Sequence, residues 1–163
     1  MKQYVLSNTK IFEIPVKKIN YNFKCCNSPE PMVFNKVIIH HTGKNNTIDK
    51  IIDNHLIRKK YSTIGYHFII GENGIIYYSR DLNAAGAHTY GYNKNAIGIA
   101  LLGNYNEETP KLKQIDALKK LIEEITKKYK IELISGHNEA IYKQIKDQLK
   151  ELNLPELNIL TIK

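Results

Sequence analysis

Most of the six histidines of this chain stand in short runs whose types and spacing could do chemistry. They are KVIIHHTG at 36–43, GYHFIIGENG at 65–74, GAHTYGYNKNAIGIALLGNY at 86–105 and ISGHNEA at 134–140. Histidine is the commonest metal ligand and the usual acid–base group near neutral pH. Runs in this order deliver imidazoles and a tyrosine, Tyr66, from strand ends toward one place. Successive strand side chains face opposite ways, so only one of His40 and His41 can enter a shared pocket. The alternation alone does not choose between them. His137 follows Gly136, which permits a tight turn or close backbone approach at a strand end.

The elements that must position these groups read as a single α/β domain, a mixed central sheet flanked by helices. Residues 1–30 read as an irregular N-terminal segment and 31–163 as the domain. Val37–His41 is an apolar, β-branched run typical of a buried strand. Thr47 precedes an apolar stripe, Ile48, Ile51, Ile52, His55 and Leu56, at helical spacing. Strands are expected at Tyr66–Ile70 and Ile75–Tyr78, joined by a Gly/Asn turn, and again at Ile97–Leu102. Thr109-Pro110 supplies a cap followed by proline for a helix carrying Leu112, Ile115, Leu118, Ile122 and Ile125. Glu132–Ser135 reads as a last strand and Glu139–Leu152 as a last helix.

Bulk properties narrow the function classes. A chain of 163 residues with 42% hydrophobic content is one ordinary globular domain. The net charge of +8 comes almost wholly from lysine, and several lysines fall on helical outer faces, where they read first as solvated surface. That field suits an anionic small ligand, whereas a nucleic-acid polymer would call for aromatic platforms or an arginine stripe. Cys25 and Cys26 are adjacent and offer no disulfide framework. Neither a signal peptide nor a membrane span is legible, so the expectation is a cytoplasmic protein with no membrane partner.

With these runs in hand, the chain resembles the peptidoglycan recognition protein family, which shares its fold with zinc N-acetylmuramoyl-L-alanine amidases of the phage-lysozyme type. The resemblance rests on VIIHHTG, on Asn54-His55 followed by Tyr66 in IGYHFIIGENG, and on GAHTYGYN with IGIALLGN. It covers roughly residues 35–150. It implies a groove for muramyl peptides or peptidoglycan fragments and, in active members, a Zn2+ that cleaves the amide between the lactyl group and L-alanine. By the resemblance His40, not His41, is the first zinc ligand and His137 the second. Tyr66 is then the phenol that orients water or stabilises the oxyanion. His88, Tyr90 and Asn93 fall on the ligand-binding wall, His55 is structural and His67 packs behind the sheet.

One part of the pattern is missing. Active relatives carry a cysteine or aspartate in a loop after the second histidine, whereas GHNEAIYKQIKDQLKEL runs directly into a helix. A catalytic zinc takes three protein ligands and leaves one position open. Glu139 and Asp147 are the nearby carboxylates, about 12 Å apart along a helix axis. The expected function is therefore binding of muramyl peptide with hydrolysis silenced. The alternatives are an active zinc amidase with a substitute ligand, and a repurposed cleft using His/Tyr acid–base chemistry on another ligand such as a signalling phosphodiester.

Overall fold

The computed structural model of the chain describes residues 4–22, 32–152, 154, 155 and 157–159; Cys25 and Cys26 lie outside them. The described residues form eight strands: β1 (Tyr4–Ile11), β2 (Ile14–Tyr21), β3 (Lys36–His41), β4 (Phe68–Ile70), β5 (Ile76–Tyr78), β6 (Ala96–Leu101), β7 (Leu133–Gly136) and β8 (Leu157–Ile159). The helices are α1 (Ile48–Ile52), continued by a π-helical turn over Asp53–Arg58, then α2 (Leu112–Lys128) and α3 (Glu139–Ile145). All strands join one sheet in the order β1-β2-β5-β4-β6-β3-β7-β8. The run from β4 through β6, β3, β7 and β8 is parallel, while β1/β2 and β4/β5 pair antiparallel. This is the mixed α/β domain expected from the sequence. No described helix is long and apolar enough to cross a membrane.

Burial on both faces explains the unbroken apolar runs of the central strands. On one face, Val37, Ile39, Ile97, Ile99, Phe68 and Ile70 pack with Ile115, Leu118, Ile122 and Ile125 of α2. Each such side chain, fully buried, contributes about 1.5–3 kcal/mol. On the other face Ile69 and Ala100 pack with Ile51, Ile52 and Ile64. His40 is register-paired with Ala100, which in turn pairs with Ile69, so His40 opens onto this second, thinner layer.

The N-terminal segment departs from expectation. Residues expected to be irregular form the β1/β2 hairpin, which joins the sheet where Lys17 and Lys18 of β2 pair in parallel with Tyr77 and Tyr78 of β5. Ile14, Val16 and Ile19 are its buried anchors. Its turn is made by Phe12 and Glu13, with φ of 51° and 66°. Hairpin turns usually announce positive φ with Asn or Gly, and here no such residue marks the turn.

Smaller shifts have local causes. Helix α2 starts at Leu112, because the Gln114 carboxamide accepts from the Lys111 N–H at 3.0 Å and caps the helix two residues after Thr109. Helix α3 ends at Ile145, not Leu152. The Leu149 N–H still bonds to the Ile145 carbonyl at 3.0 Å, so the apolar spacing of four continues through a looser turn.

Candidate functional site

Strand alternation decides between the adjacent histidines. His41 points to the α2 side, where its Nδ1 accepts from the Tyr105 N–H at 3.0 Å and its ring stacks on Tyr105. His40 points the other way and is buried. Because β7 runs parallel beside β3, with Gly136 opposite Ile39, the next residue lands alongside His40. The His137 N–H donates to the Ile39 carbonyl at 2.9 Å and fixes that placement. The two imidazoles then face each other, Nδ1 to Nδ1, at 2.9 Å.

Tyr66 precedes β4, and its ring centroid lies 5.2 Å from that of His40. Gly65, just before it, donates its N–H to His55 Nδ1 at 2.9 Å, so the π-helical turn and the Tyr66 segment are tied together. A π-helical turn inside a helix often marks a functional site; here it puts His55 within 5.2 Å of the Tyr66 ring. His67 lies in the core with both ring nitrogens engaged: Nε2–H donates to the Ala84 carbonyl and Nδ1 accepts from the Gly98 N–H. It is structural.

His88 arrives from the loop between β5 and β6. That loop is clamped by Asn93, whose Oδ1 accepts from the backbone N–H groups of His88 and Thr89, each at 2.8 Å. The ring lies over Gly98 of β6 and against Gly86, and a Cβ on either glycine would overlap it. His88 Nδ1 lies 3.1 Å from His40 Nε2, and the Thr89 hydroxyl is within 2.8 Å of the first and 3.2 Å of the second. Tyr90 stands exposed at the rim. His40, Tyr66, His88 and His137 are therefore one contiguous group, and the wall residues Tyr90 and Asn93 flank it.

A cleft of about 360 Å³ opens beside this group, lined by His55, Lys59, Tyr61, Tyr66, His88, Thr89, Tyr90 and Asn93 among others. Lys59 supplies its cation, with Nζ 5.8 Å from the Tyr61 ring centroid. Lys59, Tyr61 and Thr89 were not singled out from the sequence. The first two sit at the end of a helix whose π-helical register is invisible in an apolar pattern. Thr89 had only its adjacency to His88 to mark it.

Electrostatics make the cluster neutral. Burial holds His40 well below the usual histidine range, with His88 and His137 adding to the effect. Burial likewise pushes His88 down to about 3 and His55 down to about 4. His137 is lowered by burial and then by His41. Burial pushes the Tyr66 phenol up to about 12. Near neutral pH the group thus offers imidazole lone pairs and a protonated phenol.

For a metal, the pair His40 and His137 supplies two converging nitrogens of the kind zinc takes. Among the described residues no three His, Cys, Asp or Glu side chains are grouped to hold one metal ion, since His88 meets His40 at Nε2 and His137 meets it at Nδ1. The chain passes from His137 to the α3 cap Asn138, whose side chain accepts from the Ile141 N–H, and α3 begins at Glu139. Glu139 pairs with Lys143 at 3.3 Å and Asp147 with Lys150 at 3.0 Å, and all four side chains are exposed. Neither carboxylate offered by the sequence is turned to the histidines. The described donor set does not complete a catalytic zinc shell.

Residues 30–150 match a family described as N-acetylmuramoyl-L-alanine amidase. A peptidoglycan recognition protein of Trichoplusia ni is 47% identical over 68 residues, which is 42% of this chain and 37% of that protein. The curated relatives matched are covered over only part of their own length, 33% for one mouse protein and 59% for one from Holotrichia diomphalia. Among solved structures, N-acetylmuramoyl-L-alanine amidase LysC from Clostridium intestinale has a TM-score of 0.66 at 36% identity, covering 73% of this chain and 79% of that one. An ectodomain complex of peptidoglycan recognition proteins LCa and LCx with tracheal cytotoxin bound has a TM-score of 0.66 at 26% identity, covering 83% and 89%.

Proposed function

Because the chain belongs to the N-acetylmuramoyl-L-alanine amidase family and is similar to peptidoglycan recognition proteins, we propose that it binds muramyl peptides in the cleft beside His40 without hydrolysing them. The observation that carries this reading is the His40–His137 pair, which adjoins the cleft through Tyr66 and His88, with two nitrogens convergent and no third donor from Glu139 or Asp147. Two imidazoles alone hold zinc weakly and position it poorly, because the usual catalytic shell uses three protein ligands. The walls suit the ligand. Tyr61, Tyr66 and Tyr90 offer flat apolar faces to a sugar, and Lys59 offers a cation to a stem-peptide carboxylate. The likeness to a structure holding tracheal cytotoxin supports the ligand class.

The presence of His40 in ring contact with both Tyr66 and His137 favours a second reading, a working zinc amidase. One assay separates the two. Muramyl tripeptide is incubated with the protein in added zinc, with and without chelator, and newly freed peptide amino groups are measured. We expect no release above the protein-free control and a zinc Kd in the micromolar range or weaker. Chelator-sensitive release at one turnover or more per site would establish the amidase.

A further inference from the structure

We propose that His88 and Thr89 are positioning residues that hold His40 in a single tautomer, protonated at Nε2, so that its Nδ1 lone pair is always presented beside His137. The inference rests on reading the His40–His137 pair as the centre of the site beside the cleft, and it concerns how this chain prepares that pair.

The chain of assignments starts at the backbone. The Ala96 carbonyl can only accept, and His88 Nε2 lies 3.3 Å from it. His88 Nε2 therefore carries the proton, and in the neutral ring Nδ1 is then a lone pair. That lone pair faces His40 Nε2 at 3.1 Å. Two lone pairs at this distance repel, so His40 Nε2 must be the N–H. The Thr89 hydroxyl sits across the same junction, 2.8 Å from His88 Nδ1 and 3.2 Å from His40 Nε2. It donates to the first and accepts from the second, which satisfies the whole junction without a charge. Thr89 is 1% exposed, so water does not compete for this role.

The consequence appears on the far side of the His40 ring. With the proton fixed on Nε2, Nδ1 is an acceptor, and it faces His137 Nδ1 at 2.9 Å. Left alone, His137 donates its own Nδ1–H there. Any electrophile entering this slot, a proton or a cation, meets a His40 nitrogen that needs no tautomer change. A hydrogen bond on the far ring nitrogen is the usual device for fixing a ligating histidine. Here that bond goes to a second imidazole and a threonine instead of a carboxylate, which keeps the cluster neutral. Gly86 and Gly98 complete the device, because only their missing Cβ atoms leave room for the His88 ring.

The test is the tautomer itself, read in the metal-free full chain labelled with 15N-histidine by long-range 1H–15N correlation. Wild type should show His40 with a protonated Nε2 and an unprotonated Nδ1, as one species. Thr89→Ser should keep it. The double variant His88→Phe/Thr89→Val removes both acceptors and should give a mixture in which Nδ1–H is substantially populated. A wild-type His40 protonated at Nδ1, or a folded double variant still purely Nε2–H, overturns the proposal. Should the double variant not fold, the wild-type spectrum alone still decides. Failure of muramyl-peptide binding would count against the function and leave this readout untouched.

Discussion

Gly65→Ala is expected to destabilise the protein by about 3 kcal/mol and to abolish ligand binding at accessible concentrations. A Cβ at this position would overlap the carbonyl oxygen of Ala87, which is backbone and has no flexible end to swing away. Overpacking of this kind costs most where nothing can yield. The position is also a junction: its N–H bonds His55 in the π-helical turn, and its carbonyl accepts from the Ala87 N–H at 3.0 Å. Forcing these apart displaces Tyr66 on one side and the His88 loop on the other. Urea unfolding and a muramyl-peptide titration would show both effects. A variant within 1 kcal/mol of wild type that still binds would mean the two segments are not held together as described.

Acidification should unfold the protein well before ordinary carboxylate titration is complete. Burial holds His55 and His67 down to about 4 and His88 down to about 3, and His40 is also depressed. In the unfolded chain each returns to about 6.5. The unfolded state therefore binds protons first as pH falls, so the stability these groups protect is complete above about pH 6.5 and is lost progressively below it. At pH 5 the loss is about 2 kcal/mol for each of His55, His67 and His88, or about 6 kcal/mol for the three, and His40 acts in the same direction. That is comparable with the whole stability of a domain this size, about 5–15 kcal/mol. Urea midpoints measured from pH 7.5 down to 4.5 should fall steeply below pH 6.5. A flat profile from pH 7 to pH 5 would show that the histidines are not buried neutral.

Much of this site was legible because His40 lies in, and Tyr66 and His137 lie next to, strands with strong apolar signatures. Val37–His41, Tyr66–Ile70 and Ile97–Leu102 were readable as strands, and alternation demanded that one of His40 and His41 turn away. Which of them did so depended on the face taken by α2 and Tyr105, a tertiary fact that alternation does not contain. The β1/β2 hairpin escaped because its turn uses Phe12 and Glu13 at positive φ instead of asparagine or glycine. Phe12 stays there because its ring packs on Phe68 and Tyr129, so a core contact overrides turn preference. The inward aim of His88 escaped for a similar reason: Gly86 and Gly98, twelve positions apart, form its seat only once the sheet is assembled.

Calorimetric titration of the metal-free protein with muramyl tripeptide, alongside Tyr66→Ala and Lys59→Ala, tests most directly whether this cleft is a muramyl-peptide site. Saturable one-to-one binding, weakened about tenfold or more by either substitution (about 1.4 kcal/mol), is the expected result. No heat of binding at millimolar ligand, or binding that neither substitution changes, would contradict it.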